Sequence, residues 1–519
     1  MTFSRAIRFS LLLMGTGIVF GRGGHGLVLA VEATELAKAV ESVTADELRK
    51  HAEFLADDTL EGREAGSRGG QAAANYLTKE FARQRLSAAG EDRSYFQAFN
   101  GSCRNILGMI EGSDPQLKEQ VIVLGAHYDH VGYGRKGNSY GPIGYIHNGA
   151  DDNASGVSGL LEIIDAVKRL RAAPKRSILF ALWDAEEIGL LGSRHWISRP
   201  TVPLSRVAMC FNIDMIGRLK DQRLEVFGSR TLAGSRRALS EANAAADLTL
   251  DFNWQVKADS DHHPFFAQGI PFLMLHTGLH ENYHRPSDDA NLLNLEGMQQ
   301  VTRLTLQTLL RYADGEDLGK FRAASQQENN YHRGLMEQPQ QAQPPRFGLP
   351  WQRAAGDELR IAMLPPTPGS PAEAAGLRAG DRLVKYEGAA IKDENLLRLQ
   401  LMAAAGKKTF IIEREGEKEP LEISITPRGG PIRVGISWRE DSAEPGSVLL
   451  TQVIPGSAAA LAGLAVGDRI QAIGGQRFAN GDELGKLVST LPSPLEVIME
   501  RGGRLRVVKV ESLPAETGP

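Results

Sequence analysis

Apolar residues along the first part of the chain fall into two alternating rhythms. Leu48 to Leu55 and Gln71 to Leu86 place their apolar residues on one side of a helical repeat. From Val121 onward, short unbroken apolar runs alternate with helical ones. Val121 to Ala126 precedes a helical stretch from Ser155 to Leu170, and Ser177 to Trp183 and Ala208 to Ile213 come after it. Pro271 to Leu275 then leads into a last long helical stretch, Leu295 to Tyr312. Runs apolar at every position suit strands covered on both faces. Their alternation with helices predicts an α/β domain over residues 34–315, with a mostly parallel mixed sheet sandwiched by helices.

Between Asp314 and Arg346 this rhythm fades into Gln, Asn and Pro, including Gln326-Gln327-Glu328-Asn329-Asn330. Such a segment buries little, which predicts a linker over 316–345. Beyond it the chain repeats itself. Gly369-Ser370-Pro371-Ala372 through Gly376-Leu377-Arg378-Ala379-Gly380-Asp381-Arg382-Leu383 returns as Gly456-Ser457-Ala458 through Gly463-Leu464-Ala465-Val466-Gly467-Asp468-Arg469-Ile470. Each copy reads as a short helix ending at Gly, a Gly-Asp turn and a strand. An apolar-Gly-apolar triplet precedes each, Phe347-Gly348-Leu349 and Val434-Gly435-Ile436. Two small β-rich modules are expected, over 346–428 and 431–513.

The N-terminus departs from both patterns. Arg5 and Arg8 precede an apolar run from Phe9 to Phe20, and small residues around Ala30 and Ala33 offer a cleavage point. That layout predicts a signal peptide over 1–33, hence export to the periplasm or the extracellular space, with no stable membrane span after cleavage. A formal net charge of −4 and the lack of a long basic run give nucleic-acid binding no electrostatic support. The two cysteines, Cys103 and Cys210, make neither a disulfide framework nor a thiolate zinc site, and their apolar surroundings predict buried free thiols.

The chemistry gathers at the ends of the apolar runs. Val121 to Ala126 ends in His127-Tyr128-Asp129-His130, Ser177 to Trp183 in Asp184-Ala185-Glu186-Glu187, and Ala208 to Ile213 in Asp214. Gly149-Ala150-Asp151-Asp152-Asn153-Ala154-Ser155-Gly156 opens a helix, and Glu281-Asn282-Tyr283-His284 comes after the last strand. Ligands of open α/β sheets bind outside the carboxyl ends of the strands, so these groups converge there. Two imidazoles and several carboxylates without a thiolate suit zinc held by N and O ligands, and a bound cation removes the repulsion among the acids.

Over roughly residues 40 to 315 these motifs, in this order, resemble the co-catalytic dizinc aminopeptidase family. The family also includes bacterial leucyl aminopeptidases, glutamate carboxypeptidase and glutaminyl cyclase. The resemblance implies two Zn2+ ions, one on His127, Asp152 and Asp214, the other on Asp152, Glu187 and His284. Asp152 bridges both, and Glu186 is the general base. Asp129 is expected to hydrogen-bond the free ring nitrogen of His127, and Tyr283 to donate its hydroxyl to the oxyanion of the reaction. His130, His147, His262 and His263 match no ligand position, so they are expected as wall or surface residues. Asp259 to Phe265 is expected along the substrate pocket, and Asp288 and Asp289 as capping or supporting groups.

The C-terminal repeats resemble PDZ domains. Their apolar-Gly-apolar triplets correspond to the loop whose backbone N–H groups capture a peptide C-terminus. Arg346 and Arg433, just before those loops, are candidates to favour its carboxylate. The resulting expectation is an exported zinc exopeptidase, an aminopeptidase acting on peptide or protein substrates, with PDZ modules that bind peptide C-termini or partners. A carboxypeptidase with the same ligands and a PDZ scaffold with an inert peptidase domain remain alternatives.

Overall fold

The computed structural model of the chain describes residues 25–353 and 361–514. Most of the expected signal peptide lies outside the described residues. Three helices come first, α1 (His25–Ser42), α2 (Ala45–Leu55) and α3 (Arg68–Arg83). Thr44 and Ser67 start the latter two, their hydroxyls accepting the amides of Glu47 at 3.3 Å and Gly70 at 3.1 Å. A nine-stranded sheet comes next: β1 (Ser87–Ala88), β2 (Phe96–Phe99), β3 (Cys103–Ile110), β4 (Val121–His127), β5 (Ser177–Trp183), β6 (Val207–Ile213), β7 (Arg223–Phe227), β8 (Thr249–Asn253) and β9 (Phe272–His276). Its order is β1-β3-β5-β4-β6-β9-β7-β8, with β2 beside β3.

The four central strands β5-β4-β6-β9 run parallel, as does the outer pair β7–β8, whereas β3 meets β5 and β7 meets β9 antiparallel. Parallel order is therefore a property of the centre rather than of the whole sheet. The chain passes from β3 to β4 by a loop, without the crossover helix that a parallel neighbour requires. Sequence reading missed β7 and β8, whose half-exposed alternation is weaker than the buried runs of the centre.

Both faces of the sheet are covered, as the apolar runs require. On β4, Ile122, Leu124 and Ala126 enter a core shared with α2, α3, α4 (Gly156–Lys168) and α7 (Leu295–Asp314). Val121 and Val123 point the other way, into a cluster containing Trp196 of α5 (Leu191–Ser198) and Phe265 of α6 (His262–Ala267). Cys103 and Cys210 are free and buried. Among the described residues no helix is long and apolar enough to cross a membrane.

Two antiparallel sheets form the C-terminal part. The first has the order Trp351–Arg353, Ile361–Met363, Arg382–Tyr386, Lys408–Glu413 and Leu421–Ile425; the second has Ile436–Glu440, Val448–Val453, Arg469–Ile473, Leu495–Arg501 and Arg504–Val510. The sequence repeat is a structural one. Asp381 is clasped by Arg414 at 2.7 and 2.8 Å, and Asp468 by Arg501 at 2.6 and 2.8 Å. Gly348 and Gly435 take φ of +73° and +84°, where a Cβ would fall 2.1 and 2.3 Å from the Cβ of Ser370 and Ser457. Only glycine fits there.

Arg346 and Arg433 take a different role from the one expected. The Arg346 guanidinium donates to the carbonyls of Leu401, Met402 and Ala404, at the end of the helix Glu394–Ala403. Arg433 does the same with Val488 and Leu491 at the end of Gly481–Thr490. Unpaired carbonyls and a negative dipole end make that an electrostatically favoured position for a cation.

The segment expected as a linker is pinned down. Its short helix Asn330–Glu337 ties to the nine-stranded sheet through Arg333, 3.1 Å from Asp251, and Glu328 pairs with Arg230 at 2.7 and 2.8 Å. The second repeat docks on the same flank. Asp441 receives Arg230 at 2.9 and 3.0 Å and Arg469 at 3.0 Å, Glu500 receives Arg236 at 2.8 and 3.1 Å, and Leu250 N–H donates to Gly502 O at 2.8 Å. Burial works against ionisation of Asp441, but the hydrogen bonds from Arg230 and the charge of Arg469 hold its carboxyl well below the usual carboxylate range. Removing one partner of such a buried network leaves two guanidinium groups short of an anion. Asp441→Asn is expected to cost roughly 3–5 kcal/mol, read as a lowered unfolding midpoint and faster hydrogen exchange along the docked flank.

Candidate active site

The carboxyl ends of β5, β4 and β6 lie side by side, with His127 opposite Trp183 and Gly125 opposite Asn212. His127 closes β4, Glu186 and Glu187 come just after β5, and Asp214 just after β6. Asp152 comes from the irregular turn Ala150–Ser155 that leads into α4, and His284 from the loop after β9.

The structure brings all of these side chains together. His127 Nε2 stands 3.3 Å from Asp152 Oδ1 and 3.3 Å from Asp214 Oδ1. On the other side of the same carboxylate, His284 Nε2 stands 3.1 Å from Asp152 Oδ2 and 3.0 Å from Glu187 Oε2. Asp152 thus divides its two oxygens between two donor sets. Glu186 joins the first, with one oxygen within 4.8 Å of the ligand-type atoms of His127 and Asp214. His130 joins the second. Its expected place is a wall or surface position, yet it is buried, with Nδ1 2.7 Å from Glu187 Oε1.

Charge and alignment both fit a metal here. Asp129, Asp152, Glu186, Glu187 and Asp214 crowd one pocket. Burial, with the neighbouring charge of Glu187, drives the Glu186 carboxyl well above its usual range, although His127 opposes the shift. Burial also opposes a charge on His284, but the close carboxylates of Asp152 and Glu187 outweigh it and raise the imidazole to about 10. Without a cation, protonated imidazoles are the acids' nearest compensation. His284 Nε2, despite its two close carboxylate oxygens, has no aligned hydrogen-bond partner. A buried imidazole nitrogen that faces two carboxylate oxygens without bonding either suits a cation between them.

The backbone is strained where it presents these groups. Ala185, Met215 and His284 sit at φ of 61°, 52° and 51°, immediately before Glu186, immediately after Asp214 and at the ligand-type His itself. Left-handed backbone at non-glycine residues costs about 1–3 kcal/mol each and persists only where the surroundings enforce it.

Supporting contacts do the enforcing. Asp129 stands 3.8 Å from His127 Nδ1, whereas its own backbone carbonyl is nearer at 3.2 Å. Its carboxylate instead accepts the amides of Glu186 at 3.0 Å and Glu187 at 3.4 Å. Asp129 therefore holds the Glu-Glu turn against the end of β4. Ser260 Oγ donates to Asp214 Oδ2 at 2.7 Å. Asp288, expected as a supporting group, accepts the amides of Asp151 at 2.9 Å and Asp152 at 3.1 Å and is paired with Arg218 at 2.9 Å. Asp289 accepts from Asn148 at 2.9 Å.

Tyr283 stacks on His284, centroids 3.9 Å apart. Burial and the surrounding carboxylates raise its phenol, so it keeps its proton at neutral pH. The other histidines stay outside the donor sets. His147 bonds Ser139 Oγ and Tyr145 O, and His262 stacks on Phe272 with burial pushing it down to about 3. His263 is half-buried.

Sequence reasoning missed one residue that this site depends on. Arg63, fully buried, donates to the carbonyls of Tyr128 at 2.9 Å, Leu55 at 2.6 Å, Asn148 at 2.5 Å and Gly149 at 2.9 Å. It ties the loop carrying Asp129 to the turn carrying Asp152. Burial lowers it to about 10, still charged at neutral pH. Nothing in its sequence neighbourhood signals this role. Arg63→Ala is expected to cost about 3–5 kcal/mol by leaving buried carbonyls unpaired, measured by chemical unfolding, with metal retention falling in parallel.

Comparison with known proteins gives two family matches. The model of peptidase family M28 matches residues 105–309, and the PDZ domain model matches residues 365–413 and 449–501. Aminopeptidase YwaD of Bacillus subtilis (strain 168) is 30% identical over 212 residues, covering 39% of this chain and 43% of that protein. Leupeptin-inactivating enzyme 1 of Streptomyces exfoliatus is 26% identical over 223 residues, covering 42% of this chain and 47% of that protein. The chain thus spans less than half the length of these two curated relatives. Among solved structures, the LapA aminopeptidase of Legionella pneumophila aligns with a TM-score of 0.47 at 22% identity, over 55% of this chain and 76% of that one. Residues 105–309 are a peptidase family M28 domain, and PDZ domains come after it in the same chain.

Proposed function

We propose that the protein is a two-zinc exopeptidase that removes N-terminal residues from peptides, exported from the cell, with PDZ repeats that bind peptide C-termini or partners. The division of Asp152 between two donor sets is the observation that carries this reading. In it, His127, Asp152 and Asp214 hold one ion, and Asp152, Glu187 and His284 hold the other. Bound there, the zinc pair supplies Lewis acidity that polarises the scissile carbonyl and acidifies a water. Glu186 takes the proton of the attacking water and returns it to the leaving amine, and Asp129 fixes Glu186 through its amide. The protonated phenol of Tyr283 donates a hydrogen bond to the oxygen that gains charge.

Export rests on the N-terminal pattern of Arg5, Arg8 and the apolar run beyond them. The PDZ assignment has a physical counterpart in the first repeat. Its Phe347-Gly348-Leu349 loop opens on a cavity of about 350 Å3 that is walled also by Trp351, by Pro344 and Pro345 of the preceding segment and by Ile454 and Pro455 of the second repeat. An apolar C-terminal side chain fits such a cavity.

Peptides blocked at the N-terminus, at the C-terminus or at neither end separate the readings. Release of amino acids is expected to stop on N-terminal blocking, to survive C-terminal blocking, and to vanish with a chelator and return with zinc. The reverse blocking pattern makes the enzyme a carboxypeptidase, and cleavage that ignores the chelator removes the metallopeptidase reading altogether.

A further inference from the structure

We propose that His130 belongs to the metal centre, its Nδ1 acting as a fourth protein donor to the ion held by Asp152, Glu187 and His284. This rests on the two-ion reading above. Nδ1 lies 2.7 Å from Glu187 Oε1 and 3.8 Å from Asp152 Oδ2. One ligand-type atom from each of the four residues lies within 4.8 Å of the others, a grouping that small side-chain shifts close to the roughly 3.4 Å between donors of a tetrahedral ion. The His130 and His284 rings have centroids 5.5 Å apart and stand at 80°. That separation is compatible with a nitrogen of each lying about 2 Å from a common ion.

The rest of the ring is fixed for this purpose. Nε2 is buried with no hydrogen-bond partner, so only Nδ1 is in use. The His130 amide donates to Arg63 O at 3.2 Å, placing the residue in the same clamp that sets the two ligand loops. Gly149, at φ +56°, stands beside the ring edge, where a Cβ would fall 2.4 Å from His130 Cδ2, so a side chain at 149 would displace the imidazole.

The consequence is a pair of unequal sites. One has four protein donors. The other has His127, Asp152 and Asp214 with no second imidazole among the described residues, and Glu186, within 4.8 Å of His127 and Asp214, is the base and not a ligand in this reading. A site with three protein donors keeps an open position, whereas a fourth donor closes it. The four-donor site therefore holds its ion more tightly, and the open position lies on the side where Glu186 stands.

The test uses the full chain, stripped of metal and titrated with Co2+ under equilibrium dialysis, and then loaded with 113Cd for 15N NMR of labelled histidines. The wild type is expected to bind two equivalents of unequal affinity and to show one-bond 113Cd–15N coupling to the Nδ1 of His130. His130→Ala is expected to weaken the tighter site by about tenfold or more, leave the weaker one in place, and lose that coupling. His130→Gln keeps a hydrogen bond to Glu187 but offers no imidazole. If it restores wild-type affinity, or if the wild type shows no coupling to His130, the residue only positions Glu187 and the proposal fails. The NMR arm needs no variant, so it decides the matter even if both substitutions misfold. A wild type that binds fewer than two equivalents overturns the two-ion reading instead.

Discussion

Glu186→Gln is expected to lower kcat by about 100- to 10,000-fold while leaving the metal content and the unfolding midpoint unchanged. The separation of the two effects comes from geometry. Glu186 stands beside His127 and Asp214, yet the divided carboxylate of Asp152 and the Glu187–His284 pair assemble without it. A glutamine preserves the shape and the amide contact that Asp129 makes to residue 186. It cannot accept a proton from water. Substrate affinity should change little, so the loss falls on kcat rather than on KM. A Gln variant with near-normal turnover moves the base elsewhere, and one that also loses its metal makes Glu186 a ligand.

Asp152→Asn is expected to have the larger effect on the centre as a whole, because both donor sets lose their common anion at once. Its two oxygens face His127 at 3.3 Å and His284 at 3.1 Å, and its amide is held by Asp288. The amide side chain is neutral and offers one good donor oxygen instead of two. Retained metal in the dialysed variant should fall toward zero, with activity below detection. Asp151→Asn is the control. Asp151 is turned away from the donor sets, accepting Ser155 Oγ at 3.0 Å and the amide of Gly217 at 2.6 Å. That change is expected to lower stability while both metal equivalents remain.

Much of the fold and the site is legible in the chain because buried strands advertise themselves. Val121 to Ala126, Ser177 to Trp183 and Ala208 to Ile213 are apolar at nearly every position, and the polar residues next to their carboxyl ends stand at the crevice in space. Motifs at strand ends and a family likeness are enough to single out His127, Asp152, Glu186, Glu187, Asp214 and His284, which the structure brings together. Residues whose role depends on tertiary approach are not legible. Arg63 lies in a polar turn, and only the fold shows that its guanidinium meets four carbonyls from three segments. His130 matches no family position, and its place in a donor set depends on a clamp formed by Arg63 and Gly149. The strands β7 and β8 escape notice because only their alternate residues, Leu224, Val226, Leu250 and Phe252, are apolar and buried on the core side. The linker composition gives no hint of pinning, since ion pairs such as Glu328 with Arg230 leave no hydrophobic trace.

Native mass spectrometry of the purified chain, weighed with and without prior chelation, is the most direct test of the shared carboxylate. Two zinc ions per chain, lost together in Asp152→Asn and regained by neither site alone, is the expected result. A chain that carries one ion or none under zinc saturation, or an Asp152→Asn variant that keeps both, contradicts it.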